Sequence, residues 1–442
     1  MQMYKGLPIV TNKLSPEEQR GIPHHLLGTI DLAEDPWVVT RFKKEASRII
    51  SEIRARGKLP ILVGGTSYYL DGLLFEGQVV DDDQFGLEGE GGALSIRDAL
   101  AEQHPILNDT PEAMLAKLRE VDPVMADKWH PNDGRKIRTS LAIYFAHGRP
   151  ASEIYAEQRA RKASKWAAAN AGGAQEHSLG EILLFWLYAA REPLNERLDK
   201  RVDKMVQSGL VDETAEMYDY LQSRLAAGET LDRSKGIWQS IGFAQFEPYL
   251  AAFKSSEPEP SPADTAALAK LKAAGIADTK TATRQYAKYQ VRWMTMKTIA
   301  SLRDARLLSR LYLLDSTSLS LWNREVLEKG VSLTARFLAA DEAEPLPAPA
   351  DVSETAREVL AGCVERSARE DTPCRKTCDV CGGKTFLTEE LWRKHVEGRK
   401  HRNAVRGAKR RMLIPAGMVP GRALMVVEKG KGEGEGSASI AV

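Results

Sequence analysis

Pro60-Ile61-Leu62-Val63-Gly64-Gly65-Thr66 is the stretch on which the fold turns. A short unbroken apolar run entering paired glycines reads as the carboxyl end of an inner parallel strand that opens into a tight turn. Upstream, Phe42, Ala46, Ile49, Ile50 and Ile53 recur at helical intervals between Arg41 and Gly57, and Gly57 stands where a helix would end. Helix, buried strand and turn in that order predict an α/β fold with a parallel sheet, whose ligands bind at the carboxyl ends of the strands.

Beyond Thr66 the pattern becomes helical. Short, strongly charged helices such as Pro111 to Val121 fill the region from about Leu94 to Gln175 and predict a helical insertion on the sheet domain. A second helical section begins near Glu192. In it Leu194, Leu198, Val202 and Met205 make one apolar stripe, with Arg197, Arg201 and Lys204 on a neighbouring face. A Lys- and Arg-rich helix from Thr283 to Leu308 is expected to close the body. Joints are marked at Glu257 to Pro262 and at Ala343 to Ala350, and Lys429 to Ser437 has the composition of a disordered tail. The resulting division is 1–93 for the α/β core, 94–180 for the insertion and 181–340 for the helical completion. A linker follows at 341–373, a metal-binding unit with a basic extension at 374–412, and a disordered tail at 413–442.

At 442 residues the chain exceeds one ordinary domain, and no apolar run approaches the length of a membrane span. Met1 to Lys13 has neither the apolar core of a secretory signal nor a transit-peptide pattern, so a cytoplasmic location is expected, with nuclear or mitochondrial pools also open. A net charge of +1 excludes no partner, because it averages an acidic middle against the basic stretch near Arg399 to Arg411.

All four cysteines fall after residue 360, and three of them lie between Cys374 and Cys381, a clustering that favours metal over disulfides. Cys378-x2-Cys381-x13-His395-x5-His401 offers two thiolates and two imidazoles at spacings that close a tetrahedral Zn2+ site of the C2H2 type, with Phe386 and Leu391 as its small core. Cys374 and Cys363 are left outside this set. The long gap between the histidines resembles the fingers of double-stranded-RNA-binding and splicing proteins. Downstream, Arg402, Arg406, Lys409, Arg410 and Arg411 suit phosphate contacts, and equally a solvated helix face or a nuclear import signal.

Several ordered stretches resemble the tRNA dimethylallyltransferase (tRNA isopentenyltransferase) family. They are Met1-Gln2-Met3-Tyr4-Lys5-Gly6-Leu7, Thr11-Asn12-Lys13, Pro23-His24-His25-Leu26 and Gly64-Gly65-Thr66-x-x-Tyr69. Asn132-Asp133-Gly134-Arg135-Lys136-Ile137-Arg138, Glu196-Arg197-Leu198-x-x-Arg201-Val202, Gly236-Ile237-Trp238-Gln239 and Thr283-Arg284-Gln285-Tyr286-Ala287-Lys288 continue the order. The resemblance spans roughly Met1 to Leu302, with the finger as the usual eukaryotic addition. It implies a P-loop-NTPase-like parallel sheet and transfer of a dimethylallyl group from dimethylallyl diphosphate to N6 of adenosine-37 in the tRNA anticodon stem-loop, assisted by Mg2+; a monomer is expected, and the lack of a long apolar run predicts no membrane partner. It also implies roles: Arg197 as a diphosphate-side cation with Arg201 in support, and Thr66 in the catalytic turn. Met1 and Gln2 would stand against the flipped adenosine, and Arg135, Lys136 and Arg138 against the tRNA. From the residues alone, Arg197 and Arg201 can equally pair with Glu196, Asp199 and Asp203 on a solvated helix.

The match departs from the family in three places. The family's glycine-rich phosphate loop precedes the Met-Gln-Met-Tyr segment, and no G-x4-G-K-[ST] occurs in these 442 residues. Neither does the aspartate two positions before the residue matching Met1, and Tyr289 replaces a second basic residue after Lys288. The expectation is therefore a sheet lacking its first strand, an N-terminally incomplete or truncated chain, and impaired transfer. The alternative is a non-catalytic tRNA-binding zinc-finger protein.

Overall fold

The computed structural model describes residues 1–75, 100–169, 181–256, 261–339, 344–368 and 372–412. Residues 1–38 run as turns held by one parallel bridge between Tyr4 and Ile30. Helix α1 (Val39–Ala55) buries Val39, Ala46, Ile49 and Ile50 and stops at Arg56 and Gly57, the glycine taking φ 66°. After α2 (Ser67–Leu74) come α3 (Pro111–Val121), α4 (Pro123–Lys128), α5 (Gly134–His147) and α6 (Ala151–Ala169). Thr110, Asp122 and Asp133 cap α3, α4 and α5, each side chain accepting from a backbone N–H of the first turn. Leu107, Leu118, Ala126, Ile137, Leu141 and Ala151 give these helices a core of their own.

Strand β1 (Leu184–Tyr188) leads into α7 (Arg191–Gln207), α8 (Leu210–Ala226) and α9 (Phe243–Lys254). Helix α10 (Pro262–Trp293) runs on through a π-helical turn (Met294–Thr298) into α11 (Ile299–Asp304). Strand β2 (Leu311–Asp315), α12 (Lys329–Ala339) and α13 (Glu354–Ala368) complete the body. The metal-binding unit is β3 (Pro373–Cys378), β4 (Lys384–Thr388), α14 (Glu389–Glu397) and α15 (Arg399–Met412).

β1 and β2 pair in parallel from Leu184↔Leu311 to Tyr188↔Asp315, and β3 and β4 pair antiparallel. β2 is buried on both faces. Leu311 and Leu313 join Trp186, Ile299, Leu302 and Ala356 on one side, while Tyr312 and Leu314 join Val326 and Leu333 on the other. A further core sets Tyr4, Leu7, Val10 and Ile30 of the N-terminal loop against α8 and α9 through Leu210, Leu221, Phe243 and Phe246.

Three expectations are corrected. Residues 60–63 form no strand, and Ile61 and Val63 are 75% and 92% exposed. An apolar run becomes a strand only beside another that takes its hydrogen bonds, and among the described residues none lies alongside; the apolar run that does form a strand is Leu-Tyr-Leu-Leu at 311–314, paired with 184–187. The helix expected from Thr283 to Leu308 starts at Pro262, where the Ser261 hydroxyl accepts from Asp264 N, and its last turn ends at Asp304. The linker expected over 341–373 contains α13, whose Ala356 and Cys363 are buried beside Val359, Leu360 and Val364 in the main core. The expected boundary at 93/94, the end of the insertion near Gln175 and the tail at 413–442 fall outside the described residues.

Candidate functional site

Arg197 comes to the carboxyl ends of the two parallel strands. Its Nη1 donates to the Ser316 carbonyl at 2.8 Å, one residue past the end of β2. Ser316 N and Oγ in turn donate to the Tyr188 carbonyl at the end of β1, at 2.7 and 2.9 Å, and Ala190 N donates to Thr317 Oγ1 at 3.0 Å. In open α/β sheets, ligands bind beyond the carboxyl ends of the strands.

Asp199 and Asp203 do not neutralise the arginines of their own helix. They pair across to α10, Asp199 with Arg284 and Asp203 with Lys280 at 2.7 Å. Arg201 makes no ion pair among the described residues, and loss of water around it lowers its pKa from the ordinary guanidinium value. Arg201 is exposed at the surface, one helical turn from Arg197.

Thr66 is exposed and occupies the N-cap position of α2, where its side chain caps nothing. Its neighbour Ser67 donates to Gln290 Oε1 of α10 at 3.2 Å. Helix α10 is thus the common rail: Arg284 holds α7, with Arg197 and Arg201, and Gln290, roughly 9 Å further along at about 1.5 Å per residue, touches the Thr66 turn. Asp71 fastens the other end of α2. Buried to 4% exposure, it accepts from Trp293 Nε1 at 2.7 Å and from Thr298 Oγ1 at 3.0 Å, the residue before the π-helical turn and the last residue of it.

Met1 and Gln2 lie exposed on the N-terminal loop, with Gln2 Nε2 donating to the Asn12 carbonyl at 2.6 Å. The buried Glu213 of α8 grips this loop by accepting from Ile9 N at 3.0 Å and Val10 N at 2.5 Å. No hydrogen bond or ion pair joins Met1 or Gln2 to Thr66, Arg197 or Arg201 among the described residues. Arg135, Lys136 and Arg138 stand at the start of α5, well apart in sequence and in core from the strand ends. Lys136 pairs with Asp133 at 2.8 Å and lies over the Trp129 ring, and Arg138 donates to Asn108 Oδ1 at 3.1 Å.

The four metal-type ligands converge, one atom from each of Cys378, Cys381, His395 and His401 lying within 4.8 Å of the others. His401 Nδ1 is 3.5 Å from both sulfurs and 3.1 Å from His395 Nε2. Tetrahedral zinc, with bonds of about 2.3 Å to sulfur and about 2.0 Å to nitrogen, sets its ligand atoms about 3.5 Å apart, so the donor set fits that ion. Burial and the adjacent Cys378 thiol push the Cys381 pKa up, and burial beside His401 lowers that of His395. Metal ligation takes cysteine as thiolate and histidine as neutral imidazole. Gly382 and Gly383 turn the chain at φ 74° and 73°, and Phe386 packs edge-on to Trp392 and against His395. Cys374 lies outside the cluster, and Cys363 is buried in the main core.

Ser67, Asp71, Glu213 and Gln290 were not legible as site supports. Gln290, two residues past the Thr283–Lys288 stretch, carried the one available signal; the others are defined by partners distant in sequence.

Comparison with known proteins follows the same outline. The IPP transferase family matches residues 2–297. The tRNA dimethylallyltransferase of Schizosaccharomyces pombe is 35% identical over 430 residues, covering 93% of this chain and 88% of that protein. Its Saccharomyces cerevisiae counterpart is 32% identical over 409 residues, covering 91% and 84%. A solved structure of a eukaryotic dimethylallyltransferase acting on tRNA superposes with a TM-score of 0.70 at 30% identity, covering 93% of this chain and 90% of that one.

Proposed function

The chain belongs to the IPP transferase family, and from that premise we propose that it transfers a dimethylallyl group from dimethylallyl diphosphate to N6 of adenosine-37 in the tRNA anticodon stem-loop. The observation that carries the reading is Arg197 at the carboxyl ends of β1 and β2, with Arg201, which has no ion pair among the described residues, one helical turn on.

An exocyclic amine conjugated with a purine is a weak nucleophile, so the adenine must leave its stack and the leaving group must be stabilised. The N6 lone pair attacks C1 of the dimethylallyl group, the C1–O bond breaks, and diphosphate departs with the electron pair. N6 then gives up a proton to solvent water. Arg197 and Arg201 supply fixed positive charge to the departing diphosphate, and Thr66, free of any capping bond, offers its hydroxyl to the substrate. Mg2+, carried by the diphosphate oxygens, would neutralise further charge on the leaving group. Cys378, Cys381, His395 and His401 would hold Zn2+ in a structural role, and Met1, Gln2, Arg135, Lys136 and Arg138 would contact the tRNA.

The test is transfer of label from dimethylallyl diphosphate to an anticodon stem-loop bearing adenosine-37. Arg197→Ala is expected to lower kcat by about 10²-fold, the scale of losing one preorganised charge donor. Retention of stem-loop binding by the unsubstituted chain without any transfer would overturn the proposal in favour of a non-catalytic tRNA-binding protein.

A further inference from the structure

The hairpin of the metal-binding unit rests on the turn between α4 and α5 of the insertion, and two side chains make the contact. From β3, Arg375 Nη1 donates to the Ala126 carbonyl at 3.2 Å and lies 3.3 Å from Asp127 Oδ1. Ala126 belongs to the last turn of α4, where carbonyls have no partner inside the helix. From the insertion, His130 reaches back. Asn132 N donates to His130 Nδ1 at 3.1 Å, which places the ring proton on Nε2, and that Nε2–H donates to the Thr385 carbonyl of β4 at 3.1 Å. Ala126 is fully buried and the Arg375 side chain is only 30% exposed, so its charge-assisted bond to the carbonyl is sheltered from water. Asp127 is 78% exposed and adds little.

We propose that Arg375 and His130 form a latch that locks the finger onto the insertion, and that both are positioning residues for the RNA substrate. Each of the two units joined by the latch carries basic residues: Arg135, Lys136 and Arg138 at the start of α5 in the insertion, and Arg399, Arg402 and Arg406 on α15 in the finger. A finger swinging on a tether loses orientational freedom each time it closes on RNA. A latched finger has lost it already, so both surfaces engage the backbone as one preorganised unit. Asn132 couples the two halves directly, because the loop leading to Arg135 also sets the tautomer of His130. This inference rests on the reading that the substrate is RNA, and its test separates the two.

The experiment uses the full zinc-loaded chain and compares the unsubstituted protein with Arg375→Ala, Arg375→Lys and His130→Ala. Amide hydrogen exchange over 125–132 and 384–388 reads the latch without any activity. Metal analysis reads the finger, and Kd for the anticodon stem-loop with KM and kcat for transfer reads the substrate. Arg375→Ala and His130→Ala are expected to raise exchange in both segments together, keep one zinc per chain, and raise Kd and KM about tenfold at unchanged kcat. Arg375→Lys, which can still reach one acceptor, should recover part of that loss. Unchanged exchange in the alanine variants would overturn the latch, and raised exchange with unchanged Kd would overturn its role in positioning RNA. Should Arg375→Ala shed zinc, His130→Ala decides, since it leaves every residue of the finger intact: an unaltered Kd there overturns the proposal. Absence of transfer by the unsubstituted chain would count against the transferase reading alone, because exchange and Kd still report on the latch.

Discussion

Gly236 is the residue where backbone and side-chain demands meet most tightly. At φ 61° it favours glycine, and a Cβ there would lie 2.7 Å from Tyr4 Oη and 2.8 Å from Pro36 Cγ. Gly236→Ala is therefore expected to cost about 2 kcal/mol or more, read as a lower midpoint in urea unfolding. Burial pushes the Tyr4 phenol up to about 12, so this contact stays uncharged through the neutral range. Asp71 makes a second prediction. Removing it in Asp71→Ala leaves Trp293 Nε1 and the Thr298 hydroxyl unpaired in the core, at a cost of about 2 kcal/mol. Burial raises the Asp71 pKa, against the pull of those two bonds. An acid whose folded pKa exceeds its unfolded value contributes stability that is present below the ordinary carboxylate range and lost as pH rises through the folded value. Asp71→Asn should flatten that decline in urea unfolding measured across the same window; an unchanged slope would show that Asp71 titrates normally.

Between elements, helix approach and charge pairing act with different weight. Gly275 of α10 lets α9 approach so closely that a Cβ would stand 2.9 Å from Phe246 Cδ1 and 3.1 Å from the Gln245 carbonyl. Gly275→Val is expected to destabilise by about 3 kcal/mol through overpacking, visible as a fall in thermal midpoint. The pairs Asp199–Arg284 and Asp203–Lys280 between α7 and α10 are partly exposed, and breaking either should cost well under about 1 kcal/mol in stability. Their consequence is orientation: they hold α7 so that Arg197 reaches Ser316. Asp199→Ala is accordingly expected to lower transfer more than it lowers the unfolding midpoint, a comparison made on the same preparation.

For the molecule as a whole, separate cores predict separable unfolding. The insertion is packed by its own residues, the N-terminal loop and α8–α9 share another core, and β1, β2, α11 and α13 share a third. Among the described residues the finger has few buried side chains besides Cys378, so a metal held by its four ligands would supply most of its stability. Adding a strong chelator should release one zinc and raise amide exchange over 373–408 while α3, α5 and β2 keep their protection. Loss of protection throughout the chain would mean that the finger is integral to the body. No helix among the described residues is long and apolar enough to cross a membrane.

What the sequence determined by itself was local. Gly57 after a helical stripe, Thr110 and Pro111 at the start of α3, and the spacing of Cys378, Cys381, His395 and His401 each express constraints satisfied within a few residues or within one small unit. Tertiary structure alone decided which apolar run became a strand, since residues 60–63 and 311–314 are comparable as text and differ in having a partner. It also decided that Asp199 and Asp203 face α10 rather than Arg197 and Arg201, that 354–368 is core rather than linker, and that Arg375 and His130 each reach a backbone carbonyl across the contact of finger and insertion. Strand ladders, cross-helix pairs and docking contacts place their second partner tens to hundreds of residues away, and no local pattern specifies which distant group will arrive.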